Sequence, residues 1–302
     1  MKKERDIQDD EIRIIGGKSS KNNRVIGLVI AGLIILVVIL GFVFTSGESD
    51  KAPQPVKTET SEPGLFEGEV VAEPAPVKDE RKPFGMQVDS LAAGFCEIRD
   101  TVINDIPLKL YIPHNANMSL HIGKMDIKDE NVIYTAQAAD VRADNKKIVG
   151  AFVLAGEPKA WGLSKRGYCA SIDGKVTIGV ADNSPLFEEA ASKGGHFFRQ
   201  YPLVDNGRLV ENNPKNKAVR RAICERLDEV FMIETLSKES FHDFAQALVD
   251  LGVENGVYLV GGEAYGWARD AEGVFHDFGV PGYYGGYKGL PRNTNYIVWR
   301  KK

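Results

Sequence analysis

"VFMIETLSKESFHDFAQALVDLGVENGVYLVGG", residues 230–262, is the stretch on which the fold reading turns. Phe241, Phe244, Ala245, Leu248 and Leu251 recur at three- and four-residue steps, which places them on one face of a helix over 237–252. Ser237 and Ser240 offer N-caps, and Gly252 suits the left-handed residue just past a helix end. The apolar runs on either side, VFMIET (230–235) and VYLV (257–260), read as strands. Strand, helix and strand within about 30 residues could pair the two strands in parallel through a crossover. Gly261 and Gly262 follow the second strand at once. Such a pair brings bare backbone close to something, and consecutive N–H groups there could converge on an anion.

Upstream, short alternating segments dominate: LKLYIP (108–113), NVIYTAQAADV (131–141), KIVGAFVLAG (147–156) and KVTIGVA (175–181). They suggest strands of an antiparallel or mixed sheet, and Asp173-Gly174 between two apolar runs signals a hairpin. Residues 184–195 fit a short helix, with Ser184 as N-cap, Pro185 at its first position and Gly194 beyond its end. The expected class is α+β: a mixed β-sheet with packed helices in one extracytoplasmic domain, preceded by a single transmembrane helix.

That helix is read from residues 25–44, 20 positions without a charge or strong polar group. At this length a helix spans roughly 30 Å, the thickness of a bilayer's hydrocarbon core. A cleavable signal peptide would have a shorter apolar run, about 7–15 residues. Lys18, Lys21 and Arg24 precede the span while Glu48 and Asp50 follow it, so residues 1–24 are expected in the cytoplasm and the remainder outside it. Residues 45–83, with Pro53, Pro55, Pro63, Pro74, Pro76 and Pro83 among polar groups, read as an extended linker. The folded domain is expected over 84–302. A net charge of -4 offers no basic excess for nucleic acid. Cys96, Cys169 and Cys224 show no metal-ligand spacing, and their odd number leaves at least one thiol free.

From residue 199 onward a specific order of segments emerges. PLV is followed by Asn206-Gly207, RRAIC (220–224) opens a strand, an amphipathic helix ends in Leu251-Gly252, and a strand closes in Gly261-Gly262. This order resembles the phosphodiester glycosidase family, whose best-known member uncovers mannose 6-phosphate tags by removing N-acetylglucosamine from a phosphodiester. Members typically carry Arg-Thr-Ala-Ile-Gly at the first point and Leu-Asp-Gly-Gly-Gly-Ser at the second. Here Arg220, Ala222 and Ile223 keep the first motif, with Arg221 and Cys224 in place of Thr and Gly. Leu259, Gly261 and Gly262 keep the second, but Val260 stands where the family has Asp, and Glu263-Ala264 replaces Gly-Ser. RNTNYIVW (292–299) resembles a late Arg motif ahead of a final strand.

The resemblance implies a membrane-anchored hydrolase acting on a sugar–phosphate linkage of an envelope or extracellular glycan, on the periplasmic or outer side of a bacterial cell. Arg220 would grip phosphate with its planar fork, supported by the Gly261-Gly262 backbone. Cleavage also needs a carboxylate at the sugar carbon, for which Glu263 and Glu234 are the candidates. If strands 230–235 and 257–260 are parallel neighbours, both glutamates sit at one sheet edge. Asn206 and Arg292 join the expected substrate-binding set. Tyr265 and Trp267 could stack on a sugar, as could Tyr283, Tyr284 and Tyr287. Such a site can take a divalent cation, although no ligand cluster marks one. Because Arg220 and Arg221 alternate faces, one of the two is expected in solvent. His196, His242 and His276 read as loop or surface histidines. The rival reading is a catalytically inactive module that keeps the fold and binds an envelope glycan or protein. A carboxylate converging on Arg220 favours the enzyme. Val260 in a dry core together with an outward Glu263 favours the module.

Overall fold

The computed structural model describes residues 81–282 and 292–302. The span expected to cross the membrane, residues 25–44, lies outside them, as do Tyr283, Tyr284 and Tyr287. Among the described residues no helix is long and apolar enough to cross a membrane. In chain order the strands are β1 (Phe95–Ile103), β2 (Ile106–His114), β3 (Ala116–Ile122), β4 (Val132–Gln137), β5 (Ala151–Leu154), β6 (Glu157–Trp161), β7 (Gly167–Ile172), β8 (Lys175–Val180), β9 (His196–Gln200), β10 (Pro202–Asp205), β11 (Arg208–Leu209), β12 (Arg221–Arg226), β13 (Glu229–Thr235), β14 (Asn255–Leu259), β15 (Gly266–Arg269), β16 (Phe275–Phe278) and β17 (Asn295–Lys301). Helix α1 (Leu186–Ser192) lies between β8 and β9, and α2 (Phe241–Asp250) between β13 and β14.

The expectation of an α+β domain with a mixed sheet is overturned. Strands make up 47% of the described residues and helix 8%, and every strand pairing is antiparallel. The sheets run β1-β2-β13-β12-β14-β10-β11, β16-β15-β4-β17-β3 and β6-β5-β9-β7-β8, in a β-sandwich-like arrangement. The expected parallel pair fails for a definite reason. β13 and β14 do run the same way, but β12 lies between them and bonds antiparallel to both, with Arg221 opposite Glu234 on one side and Leu259 on the other. The strand–helix–strand unit thus crosses over one strand, and Glu234 and Val260 end at the same sheet edge, separated by Arg221.

Period-two alternation then sorts the core. Leu108, Leu110, Ala222, Cys224, Phe231, Ile233 and Tyr258 face α2 and pack on Phe241, Phe244 and Leu248. Their strand neighbours Tyr111, Ile223, Met232, Val257 and Leu259 face the other two sheets, meeting Tyr134, Ile297, Phe152 and Phe198. The Ser240 hydroxyl caps α2 by accepting from Asp243 N–H at 3.0 Å, and Gly252 follows the helix at φ 84°. Asn206-Gly207 and Asp173-Gly174 take positive φ at both positions, as two-residue hairpins require. All three cysteines are free and buried, and burial pushes their thiols well up, so they are packing groups rather than nucleophiles.

The chain enters the domain along a strap. Glu229 accepts from Phe84 N–H and Gly85 N–H at 2.7 Å each, and Glu97 accepts from Met86 N–H at 2.9 Å. Phe84 is wedged edge-on to Phe231 and beneath the Arg226 guanidinium. Burial alone would raise the Glu97 carboxyl, but the Met86 N–H, His114 and Arg99 hold it below the ordinary carboxylate range. A depressed carboxylate contributes stability above its unfolded pKa, and that contribution is lost as pH falls through the folded value. Glu97→Gln should therefore lower stability at neutral pH and flatten the acid limb of a urea-unfolding series. Glu229→Gln should cut amide-exchange protection of Phe84 and Gly85 about tenfold, the size of one lost hydrogen bond.

Candidate functional site

Two adjacent arginines at the start of β12 define the site, because the strand sends them to opposite faces. Both are buried, so the expectation that one is solvated gives way. Arg221 turns toward the shared core. Its Nε donates to Glu234 Oε2 at 2.7 Å, and its Nη1 reaches the carbonyls of Val260 (3.2 Å) and Ala264 (2.9 Å). Nη2 adds the Gly262 carbonyl at 3.4 Å. Glu234 Oε1 accepts from Tyr111 O–H at 2.8 Å, completing the carboxylate. Burial pushes the Tyr111 hydroxyl far up, and the neighbouring Glu234 charge adds to the rise. Phe278 closes the guanidinium's face at 4.6 Å.

The glycine turn therefore presents carbonyls to Arg221. Its N–H groups have partners within the fold: Gly261 N–H donates to the Tyr258 hydroxyl at 3.0 Å, and Gly262 N–H to the Val219 carbonyl at 2.7 Å. The close approach that the paired glycines signal is to Val219. A Cβ at Gly261 would stand 2.1 Å from the Val219 carbonyl oxygen, which no side chain can occupy. Val260 is half-buried and Glu263 is exposed.

Arg220 faces α2. Its guanidinium stacks on Phe241 at 4.2 Å, Nε donates to the Glu239 carbonyl at 2.8 Å, and Nη2 donates to the Asn216 carbonyl. Nη1 is buried without a hydrogen-bond partner. Phe241 belongs to an aromatic trio with Tyr201 (5.1 Å) and Tyr258 (4.8 Å). On the far side of that trio a second buried cation appears. Lys165 Nζ lies 3.1 Å from the Tyr201 ring centre and 3.4 Å from Asp140 Oδ2, with both charged side chains almost wholly buried. Burial raises the Tyr258 hydroxyl, Arg220 opposes the rise and Asp140 reinforces it, so both charges act on this one group. Next to Tyr201, Gln200 Oε1 accepts from Tyr201 N–H while its Nε2 is buried without a partner.

The loops that deliver these groups are themselves fixed. Asn295 accepts from Ala139 N–H at 2.8 Å and donates back to the Ala139 carbonyl at 3.1 Å, which holds the turn bearing Asp140. Arg199 donates to the Lys165 carbonyl at 2.8 Å and the Asp182 carbonyl at 3.0 Å, and burial lowers its pKa. Arg220 and Lys165 are thus two buried cations in one region with the buried carboxylate of Asp140, and Gln200 Nε2 is a buried donor without a partner. An unpaired buried donor costs about 1–3 kcal/mol, which an acceptor brought to Gln200 Nε2 would recover. Among the described residues no three His, Cys, Asp or Glu side chains gather as a metal site.

Other residues of the expected set are scattered. Asn206 sits in the β10–β11 turn, its N–H bonded to Asn255 at the start of β14, the end opposite the glycines. Trp267 is buried in β15, and Tyr265 bonds Asp277 at 3.2 Å beside it. Arg292 is exposed. His242 pairs with Glu211 and His276 with Asp270, while His196 accepts from Ala155 N–H. Asp140, Lys165, Gln200 and Tyr201 were not singled out from the sequence. The run of Ala138, Ala139 and Asp140 directly after a strand, and a lysine in the WGLSKRG loop, are the only local signals they leave.

Breaking the Arg221–Glu234 pair should unfold more than it disarms. Arg221→Met leaves Glu234 as an unpaired buried charge and should cost about 3–5 kcal/mol in urea unfolding. The double change Arg221→Met with Glu234→Leu should recover much of that loss.

No protein-family profile matches the chain, and no curated protein sequence is similar to it. Weak, fold-level likeness to solved structures is present. The catalytic domain of zebrafish N-acetylglucosamine-1-phosphodiester alpha-N-acetylglucosaminidase, auto-inhibited by its pro-peptide, matches with a TM-score of 0.48 and 11% identity over 69% of this chain and 83% of that one. A hypothetical protein from Synechocystis matches with a TM-score of 0.49 and 12% identity, over 70% of this chain and 62% of that one.

Proposed function

We propose that this domain is a binding module for a phosphate-bearing sugar, a form of the phosphodiester glycosidase scaffold without its original carboxylate. The observation that carries this reading is the disposition of the two glutamates. Glu234 is neutralised by Arg221 and capped by Tyr111, and Glu263 is exposed, so neither is placed to assist at a sugar carbon beside Arg220. What remains is the anion-holding half: Arg220, Lys165 and the Gln200 amide around Tyr201 and Tyr258. In a water-poor site such charges act more strongly on a phosphate than they would in solvent. On the sequence of residues 25–44 alone, we further propose that the module is tethered to a bacterial membrane and works outside the cytoplasm.

Hydrolysis is the second reading, and one observation favours it. Asp140 is a buried carboxylate within reach of Lys165 and close enough to act on Tyr258, so the catalytic role could have moved to a different loop.

Calorimetry on the full chain in mild detergent distinguishes the two. Glucose 1-phosphate and its methyl diester should bind while glucose does not, and Gln200→Leu and Arg220→Lys should each weaken binding about tenfold, the cost of one charge-assisted hydrogen bond. No sugar should be released from the diester. Release that Asp140→Asn abolishes would establish the enzyme instead, and absence of binding to either phosphate would sink both readings.

A further inference from the structure

Residues 142–166 carry six basic side chains against Asp144 and Glu157, a local excess of +4 in a chain whose net charge is -4. The segment holds the β5–β6 hairpin, and β6 is the outer strand of its sheet. Trp161 ends that strand and is 67% exposed, whereas Trp267 and Trp299 are 2% and 6% exposed. Leu163, two residues on, is also exposed. An indole held out on a paired strand is a flat, rigid, amphipathic surface that loses little freedom when something stacks on it.

The platform is tied to the buried Lys165 through Gly150 and Arg199. A Cβ at Gly162 would stand 3.2 Å from Gly150 Cα, and one at Gly150 would stand 3.0 Å from Arg199 Cβ. Arg199 in turn holds the Lys165 carbonyl. The loop from Trp161 to Lys165 is thus fixed against the backbone, with its first residue in solvent and its last beside Asp140 and Tyr201.

We propose that Trp161 is the sugar-stacking platform of a polyanionic glycan site, with Lys147, Lys159 and Arg166 meeting the glycan's phosphates. The ligand class rests on the sugar-phosphate reading above. The platform extends it from one buried group to a chain of sugars. Lys147 is exposed and makes no ion pair among the described residues. Lys159 and Arg166 are held by Glu157 and Asp182 in exposed pairs, which a phosphate displaces at little cost. The strand argues for a glycan over a lipid surface: within four residues of Trp161 it carries the exposed Lys159–Glu157 pair, and seating the indole in a bilayer would draw that pair out of water.

Because Trp161 is the exposed one of three tryptophans, its fluorescence reports the site directly. The full chain in mild detergent is titrated with phosphomannan, a mannan carrying phosphodiesters, with neutral mannan, and with phosphatidylglycerol vesicles. Phosphomannan should shift the emission to the blue and shield the exposed indole from acrylamide, and the other two should do neither. Trp161→Ala should weaken phosphomannan binding about tenfold or more, as for a truncated aromatic anchor, and Trp161→Phe should restore most of it. Lys147→Glu should weaken it too and flatten its salt dependence. Equal shielding by neutral mannan or by vesicles, or undiminished affinity in Trp161→Ala, overturns the proposal. Glucose 1-phosphate separates the two levels. Its binding without shielding by phosphomannan overturns the platform alone, and shielding by phosphomannan without its binding overturns the buried pocket alone.

Discussion

A guanidinium buried between sheets needs oxygens for its N–H groups, and Arg221 finds four at two places that are distant in the chain. Glu234 arrives as its cross-strand partner on β13, and the carbonyls of Val260, Gly262 and Ala264 arrive from the turn after β14. Those oxygens can gather only if β12 lies between β13 and β14, so the ion pair and the strand order require each other. The same contact explains the paired glycines. Gly261 lies against the Val219 carbonyl, where a Cβ has no room, and Gly262 takes φ 60° to bring its carbonyl round. The turn is shaped by the arginine it wraps.

One step back along β12, alternation sends Arg220 through the sheet to the α2 side. Here the pairing is incomplete. Backbone carbonyls take Nε and Nη2, an aromatic face takes the plane, and Nη1 is left over. Two neighbouring residues of one type thus have different roles because their surroundings differ. Arg221 ties the framework together through Glu234 and the turn after β14, and Arg220 stands beside a second buried cation in the region proposed as the site. That Lys165 and Asp140 enter this region from separate loops, each clamped by its own buried side chain, marks it as an assembled arrangement.

Much of this was legible locally. The period of Phe241, Phe244, Ala245 and Leu248 gave the helix and its buried face, and Asp173-Gly174 gave the hairpin it sits in. The sheet type was not legible, because β12 precedes both strands it separates. Nothing in the spacing of 230–262 announces a strand inserted from upstream. Nor were Asp140 and Lys165, since their meaning depends on Tyr201 and Tyr258, roughly 40 to 120 positions later in the chain, folding back against them. Glu234 was visible as a carboxylate at a sheet edge. Whether it stands free or neutralised depends on a partner whose reach only three dimensions decide.

Val260 bears on the same division between framework and site. Its N–H donates to the Gln137 carbonyl and its carbonyl accepts from Arg221, so the position contributes to the fold through backbone alone. The identity of the side chain there is not set by any bond that the turn needs. Gly261 is under the opposite constraint, since any side chain would collide with Val219. The glycines are thus fixed by packing, while the side chain before them can vary without unfolding the turn. Arg220 and Lys165 are packing groups as well, since Arg220 closes over Phe241 and Lys165 over Tyr201, and removing either would open the α2 side of the core.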